Sequence, residues 1–278
     1  MAMFLRWQPI GLGLGLGCFW LVAGALAAPA PHTHAAPTER PTWTRYPLLQ
    51  AQATRGESAG GVRIDAANLP TPTLVMHTVA RTDGQTLSGW RASREQTGSG
   101  HVWFSASGAR DDHTVLRAST HVYLPGKPLS PSALLAQRRD GLEIVPQRLP
   151  EHGGVRETSQ WRFQVRFNGQ PRPNVGVELL TEPGTRRVWV SDARGEVEVT
   201  FPRDFPEAAL AGPNSMNASQ GFVLAVNQAI DGRNYLSTYA HRYYPDRMRE
   251  RSLAAGVGAL GFGMVLAAPL IRRKRERA

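Results

Sequence analysis

The sequence predicts a mainly β protein: two antiparallel β-sandwich bodies behind an N-terminal signal peptide, carried on one C-terminal transmembrane helix. Three observations lead there. Short runs of alternating apolar and polar residues recur between turn signals roughly every ten residues. Nowhere does helix alternate regularly with strand, as a parallel sheet would require. Both ends of the chain carry apolar stretches that the middle lacks.

The N-terminus reads as an export signal. Arg6 supplies the positive start, Ile10 to Leu26 is apolar, and Ala25-Leu26-Ala27 is an A-x-A cleavage signature. Residues 1–27 are therefore expected to be removed. Cys18, the single cysteine, lies inside them. It does not make a lipoprotein site, because Gly15 stands where a bulky aliphatic belongs. The mature chain then has no disulfides and no thiolate metal site, and relies on an ordinary apolar core. Residues 28–47 are rich in Pro and Ala without a hydrophobic period, the composition of a flexible leader.

A first β body is expected over residues 48–130. Leu74 to Val79 is strand-like and runs to the Asp83-Gly84 turn signal, and His101 to Phe104 is a second such run. From Thr114 to Leu124 the alternation is clear. Leu116, Ala118, Thr120, Val122 and Leu124 share one face; His113, Arg117, Ser119 and His121 share the other. Pro125 to Pro131 breaks the pattern, and Ser132 to Arg139 reads as a short helix capped by Ser132.

The second β body is expected over residues 131–246. Trp161, Phe163, Val165 and Phe167 alternate with polar residues up to the Asn168-Gly169 turn. Val175, Val177 and Leu179 form the next strand, followed by Val188 to Val190. Gly195 then permits the tight turn into Val197, Val199 and Phe201. Phe222 to Val226 is apolar throughout, and Asp231-Gly232 turns the chain into Tyr235 to Tyr239. Pro171 and Pro173 read as guards of a sheet edge.

Residues 253–271 close the chain as a membrane span. Leu253 to Ile271 is 19 residues without a charge, reaching about 28 Å as a helix, close to the hydrocarbon thickness of a bilayer. Arg272, Arg273, Lys274 and Arg275 follow at once in the basic tail, residues 272–278. Such a cluster stays cytoplasmic, which places everything before it outside the cytoplasm. Ala255, Ala259, Gly263 and Ala267 form a small-residue stripe along which two helices could meet in a homodimer. Of the net charge of +10, Arg6 carries one and the tail after Ile271 four, leaving about +5 on the body. The arginines are scattered and the body is extracytoplasmic, so nucleic acid is not an expected partner.

Candidate chemistry is sparse. Gly56-Glu57-Ser58-Ala59-Gly60 matches a nucleophile elbow, but it lacks the preceding apolar strand and the following helix that the mechanism needs. Ser58 is read as coincidence, and the chain as no enzyme. Imidazole suits nickel, copper and zinc. His32 and His34 flank Thr33 in the leader, and His77, His101, His113 and His121 fall on strands. His113 and His121 lie about 26 Å apart along one extended strand and cannot chelate one ion together. A site drawn from His77, His101 and one of that pair requires the fold to bring them together.

The second body also carries an ordered set of phrases: Gly141-Leu142-Glu143-Ile144-Val145-Pro146, Asn168-Gly169-Gln170-Pro171, Val175-Gly176-Val177-Glu178-Leu179 and Ser191-Asp192-Ala193-Arg194-Gly195-Glu196-Val197. Over residues 110–245 these resemble a bacterial exported family of unknown function that includes NikM-like nickel-transport components. The same half is similar to Ig-like and transthyretin-like sandwiches. The resemblance implies a Gram-negative inner-membrane protein with its body in the periplasm and its C-terminus in the cytoplasm. It further implies an accessory role in transition-metal (nickel or cobalt) handling beside a transporter or other envelope protein. The rival expectation is a structural or adhesive spacer that binds no small ligand, and a hydrolase is the third.

Overall fold

The computed structural model describes residues 43–54, 60–126, 130–150, 154–207, 210 and 218–246, together with 258, 260, 262 and 264. The chain divides into two units, Met1–Thr38 and Glu39–Ala278, and every described residue lies in the second. The signal peptide, the leader histidines His32 and His34, Ser58 and most of the expected span, Arg272 to Arg275 included, fall outside the described residues.

In chain order the strands are β1 (Leu48–Ala53), β2 (Val62–Ala67), β3 (Thr73–Thr78), β4 (Gln85–Leu87), β5 (Arg91–Ala92), β6 (Gly100–Asp111), β7 (Thr114–Leu124) and β8 (Leu142–Pro146). Then come β9 (Val155–Arg156), β10 (Gln160–Phe167), β11 (Gln170–Pro171), β12 (Gly176–Thr181), β13 (Arg186–Val190), β14 (Glu196–Thr200), β15 (Gln220–Ile230) and β16 (Arg233–Tyr244). Two short helices, α1 (Arg94–Thr97) and α2 (Ser132–Ala136), interrupt them. The expected turns appear where the chemistry puts them. Asn168 and Gly169 both take positive φ, as do Asp231 and Gly232, the backbone that two-residue hairpins require. The helix expected to reach Arg139 stops at Ala136, and Ser132 supplies no side-chain cap bond. Beyond it Arg139 is drawn inward, where its guanidinium donates to the Leu134 carbonyl at 2.5 Å.

The strands form three sheets. The largest runs β13-β12-β15-β16-β7-β6-β3-β4, with β9 beside β16; the others are β1-β2-β5 and β11-β10-β14, with β8 also on β10. The large sheet crosses the boundary expected near residue 130, because β7 pairs with β16. That pair is parallel, as is β9 with β16, against the expectation of wholly antiparallel bodies. The reason is geometric. The β6–β7 and β15–β16 hairpins lie side by side with their turns at one end, where the Asn234 N–H donates to the His113 carbonyl at 2.8 Å. They meet through their second arms, and second arms of such hairpins run the same way.

Period-two alternation then builds two cores on opposite faces of this one sheet. On one face Trp103, Tyr239, Tyr243, Phe222, Leu224 and Val226 pack against Ile144, Phe163, Val165, Val197 and Val199 of the β8-β10-β14 sheet. On the other, Met76, Val102, Phe104, Ala106, Leu116 and Ala118 pack against Leu49, Val62 and Ile64 of the β1-β2-β5 sheet. A smaller cluster, Leu48 with Val223, Ala225 and Ala240, continues that second face onto β15 and β16. In place of two separate sandwiches the structure has two cores that share their middle layer.

Candidate functional site

Cross-strand register assembles a row of rings on the face of the large sheet that carries Trp103. His77 on β3 lies opposite Trp103 on β6, and Trp103 lies opposite His121 on β7. His241 on β16 follows, its ring centroid 4.1 Å from that of His121. His101, one pleat along β6, lies 5.7 Å from His121 and 5.0 Å from Tyr123. The Tyr239 hydroxyl and His121 Nδ1 share a hydrogen bond of 2.9 Å. Three of the six histidines singled out in the sequence, His77, His101 and His121, are therefore brought onto one face. His113 is not; it sits exposed at the β6–β7 turn, its N–H donating to Asp111.

Burial keeps His77, His121 and His241 neutral. It pushes His77 down to about 4, with the Arg139 and Arg117 guanidiniums adding to the effect. It pushes His241 to about 4, helped by Arg242 and His101, and holds His121 well below the ordinary imidazole range. Burial likewise raises the Tyr239 phenol, so its proton stays on. Neutral imidazoles are what a metal needs, but His121 and His241 are tilted by only 31° at that short centroid separation. They meet through ring faces, whereas shared coordination needs in-plane lone pairs aimed at one point. Among the described residues no group of three His, Cys, Asp or Glu side chains is placed to hold a metal ion.

Beside this row lies a buried ionic network that sequence reading passed over. Glu143, inside the all-buried strand β8, takes Arg139 Nη1 at 3.1 Å and Arg166 Nε at 3.3 Å. Arg166 also donates to the Leu135 carbonyl at 3.0 Å. The Arg139 guanidinium stands 4.8 Å above the Trp103 ring. Burial lowers the affinity of Arg139 and Arg117 for their protons, and the charge of Glu143 opposes that in both. The network ties the segment after α2 to both sheets of the first core. Its sequence signal was the glutamate inside an otherwise apolar phrase, Leu142 to Pro146.

The outward-facing chemistry is different. Among the described residues the exposed large apolar side chains are Val188 (62 %) and Val190 (64 %) on β13, and Leu260, Phe262 and Met264 (66, 66 and 69 %) in the C-terminal segment. Among the described residues β13 is the last strand of the large sheet, bonded on one side only, to β12. The residues 258, 260, 262 and 264 are helical. Successive members of that set are turned about 200° from one another on a helix, so they cover opposite sides of it.

The class so defined is a mainly β module of layered sheets whose edge strand β13 is partly apolar and, among the described residues, bonded on one side. No family model matches the chain, and no curated protein does. Nineteen solved chains match. One comes from work on host cell surface retention of a 1.5-MDa bacterial ice-binding adhesin: 12 % identity, TM-score 0.25, covering 72 % of this chain and 65 % of that one. Another is a tetra-tandem repeat from the extending region of a large adhesion protein, at 10 % identity and TM-score 0.24, covering 72 % and 50 %. A third is the ectodomain of mouse nectin-like molecule 4, with three Ig domains, at 12 % identity and TM-score 0.22, covering 72 % and 64 %. The chain thus spans less than two thirds of each of these.

Proposed function

We propose that this chain is a membrane-tethered, extracytoplasmic structural or adhesive module that works by presenting a sheet edge to a protein partner. One observation carries the reading, the partition of chemistry between inside and outside. The Glu143 network and the histidine row, buried except for the half-buried His241, face their own neighbours, so they serve the fold. The exposed large apolar side chains lie instead on the free strand β13 and on the C-terminal helical residues. A helix apolar on opposite sides, with neither side under protein, suits lipid. No helix among the described residues is long and apolar enough to cross a membrane; the support comes from the 19 uncharged residues of Leu253 to Ile271 and the basic run behind them. An edge strand offers the row of backbone donors and acceptors on its outer side to an added strand.

Two measurements test this. A fluorescent reporter that matures only in the cytoplasm, fused after Ala278, is expected to fluoresce; a periplasmic phosphatase active at that position overturns the tether. Calorimetric titration of the full chain in detergent with Ni²⁺, Co²⁺, Cu²⁺ and Zn²⁺ is expected to give no saturable heat. Tight, saturable binding would replace the adhesive reading with metal handling.

A further inference from the structure

We propose that the partner of β13 is a second copy of the same strand, paired antiparallel about Val188 so that the large sheet continues from one copy into the next. This rests on reading β13 as the interaction edge and names what meets it. The strand reads Arg186-Arg187-Val188-Trp189-Val190. Antiparallel self-pairing centred on Val188 engages all five residues. It sets Arg186 opposite Val190, Arg187 opposite Trp189, and Val188 opposite itself. No arginine faces an arginine, an arrangement that would be repulsive across a strand pair. Centring on Arg187 instead would set that cation against its copy.

The charges fit this register. Arg186 is already held by Glu178 of its own sheet at 2.9 Å and brings no net charge to the seam. Arg187 makes no ion pair among the described residues and comes to lie across from the half-buried Trp189 ring, a favourable neighbour for a guanidinium. Val188 and Val190 lie on the sheet face opposite the first core, since Val188 pairs with Glu178 and Val190 with Gly176. On that face Val188 would meet its own copy, and Val190 would lie across from Arg186 and diagonal to Val188 of the second copy. Five residues a side bury less than a stable soluble dimer needs. The contact is therefore weak in dilute solution and is made by copies confined to one membrane plane, where effective concentration replaces area.

The test uses the full chain with Cys18→Ser, carrying either Val188→Cys or Gly176→Cys, reconstituted in liposomes and treated with a mild oxidant. Residues directly opposite in an antiparallel pair have Cα atoms about 4.5–5.5 Å apart, within disulfide reach. The V188C chain is expected to form disulfide dimer several-fold faster than G176C, whose site lies one strand in from the edge. Equal rates overturn self-pairing. Maleimide labelling of V188C then separates the causes. A thiol shielded in host membranes but open in liposomes leaves β13 as an edge for a different protein; a thiol open in both removes the interaction-edge reading as well.

Discussion

Two residues beside the first core, the half-buried His241 and the buried Glu143, make the sharpest single-site predictions. Imidazoles in the unfolded chain titrate near 6.5, whereas burial holds His77 and His241 near 4 and His121 lower than its ordinary value. Between those limits the unfolded chain binds more protons than the folded one. Stability is therefore full above about pH 6.5 and is lost as pH falls toward 4. The urea midpoint of the protein in detergent is expected to drop steadily from pH 7 to pH 5. His241→Gln is expected to flatten that slope by removing one of the contributing protons; an unchanged slope would place the titration elsewhere. Glu143→Gln leaves Arg139 and Arg166 buried with no counter-charge, at a cost of about 3–5 kcal/mol. Glu198→Gln, which breaks the exposed pair with Arg162, should leave the midpoint unchanged. Chemical denaturation of the two variants side by side checks both.

Strands and turns were the most legible elements. Alternation located β7, β10, β12 and β14, because period two is a property of the strand alone and survives any tertiary context, and the Asp231-Gly232 turn located β16. Turn chemistry was equally local. Gly195 takes φ +70°, and a Cβ there would come within 2.8 Å of both Arg172 N and the Val165 carbonyl oxygen. Gly232 takes φ +76°, but a Cβ on it would meet nothing within 4 Å. Gly195→Ala is therefore expected to destabilise well beyond the roughly 1 kcal/mol that the left-handed backbone alone costs, and Gly232→Ala by about that cost. Equal losses in thermal denaturation would mean that the β13–β14 turn can relax. Sequence reading missed β1 and α1, and with them the shortest strands, β4, β5, β9 and β11. Two or three residues carry no period, and such strands exist only because a neighbour offers them a ladder.

For the molecule as a whole, the shared middle sheet has a thermodynamic consequence. Two independent bodies would unfold in two steps. Here the β7–β16 seam runs from Asn234↔Thr114 to Tyr239↔Ser119. It is reinforced by bonds from Ser119 Oγ to the Thr238 carbonyl at 3.0 Å and from Thr238 Oγ1 to the Arg117 carbonyl at 3.3 Å. Neither core can lose its layer without exposing the other, so a single cooperative transition is expected by calorimetry, with van't Hoff and calorimetric enthalpies equal. A chain ending at residue 130 is expected not to fold, since it would leave β7 as a long bare edge. Two resolved transitions, or a stable 43–130 fragment, would show the seam to be incidental.

The amino-acid sequence by itself determined where strands and turns fall, which side chains share a face, and that the chain ends in a long uncharged apolar run with a basic boundary. These depend on neighbours a few residues away. Only the tertiary structure decided that two hairpins join in parallel through their second arms, that the two cores lie on opposite faces of one sheet, and that His121 meets His241. Alternation states which way a side chain points, but not which strand will lie beside it. That choice belongs to contacts between residues more than a hundred positions apart, and it is settled by how all the layers pack at once.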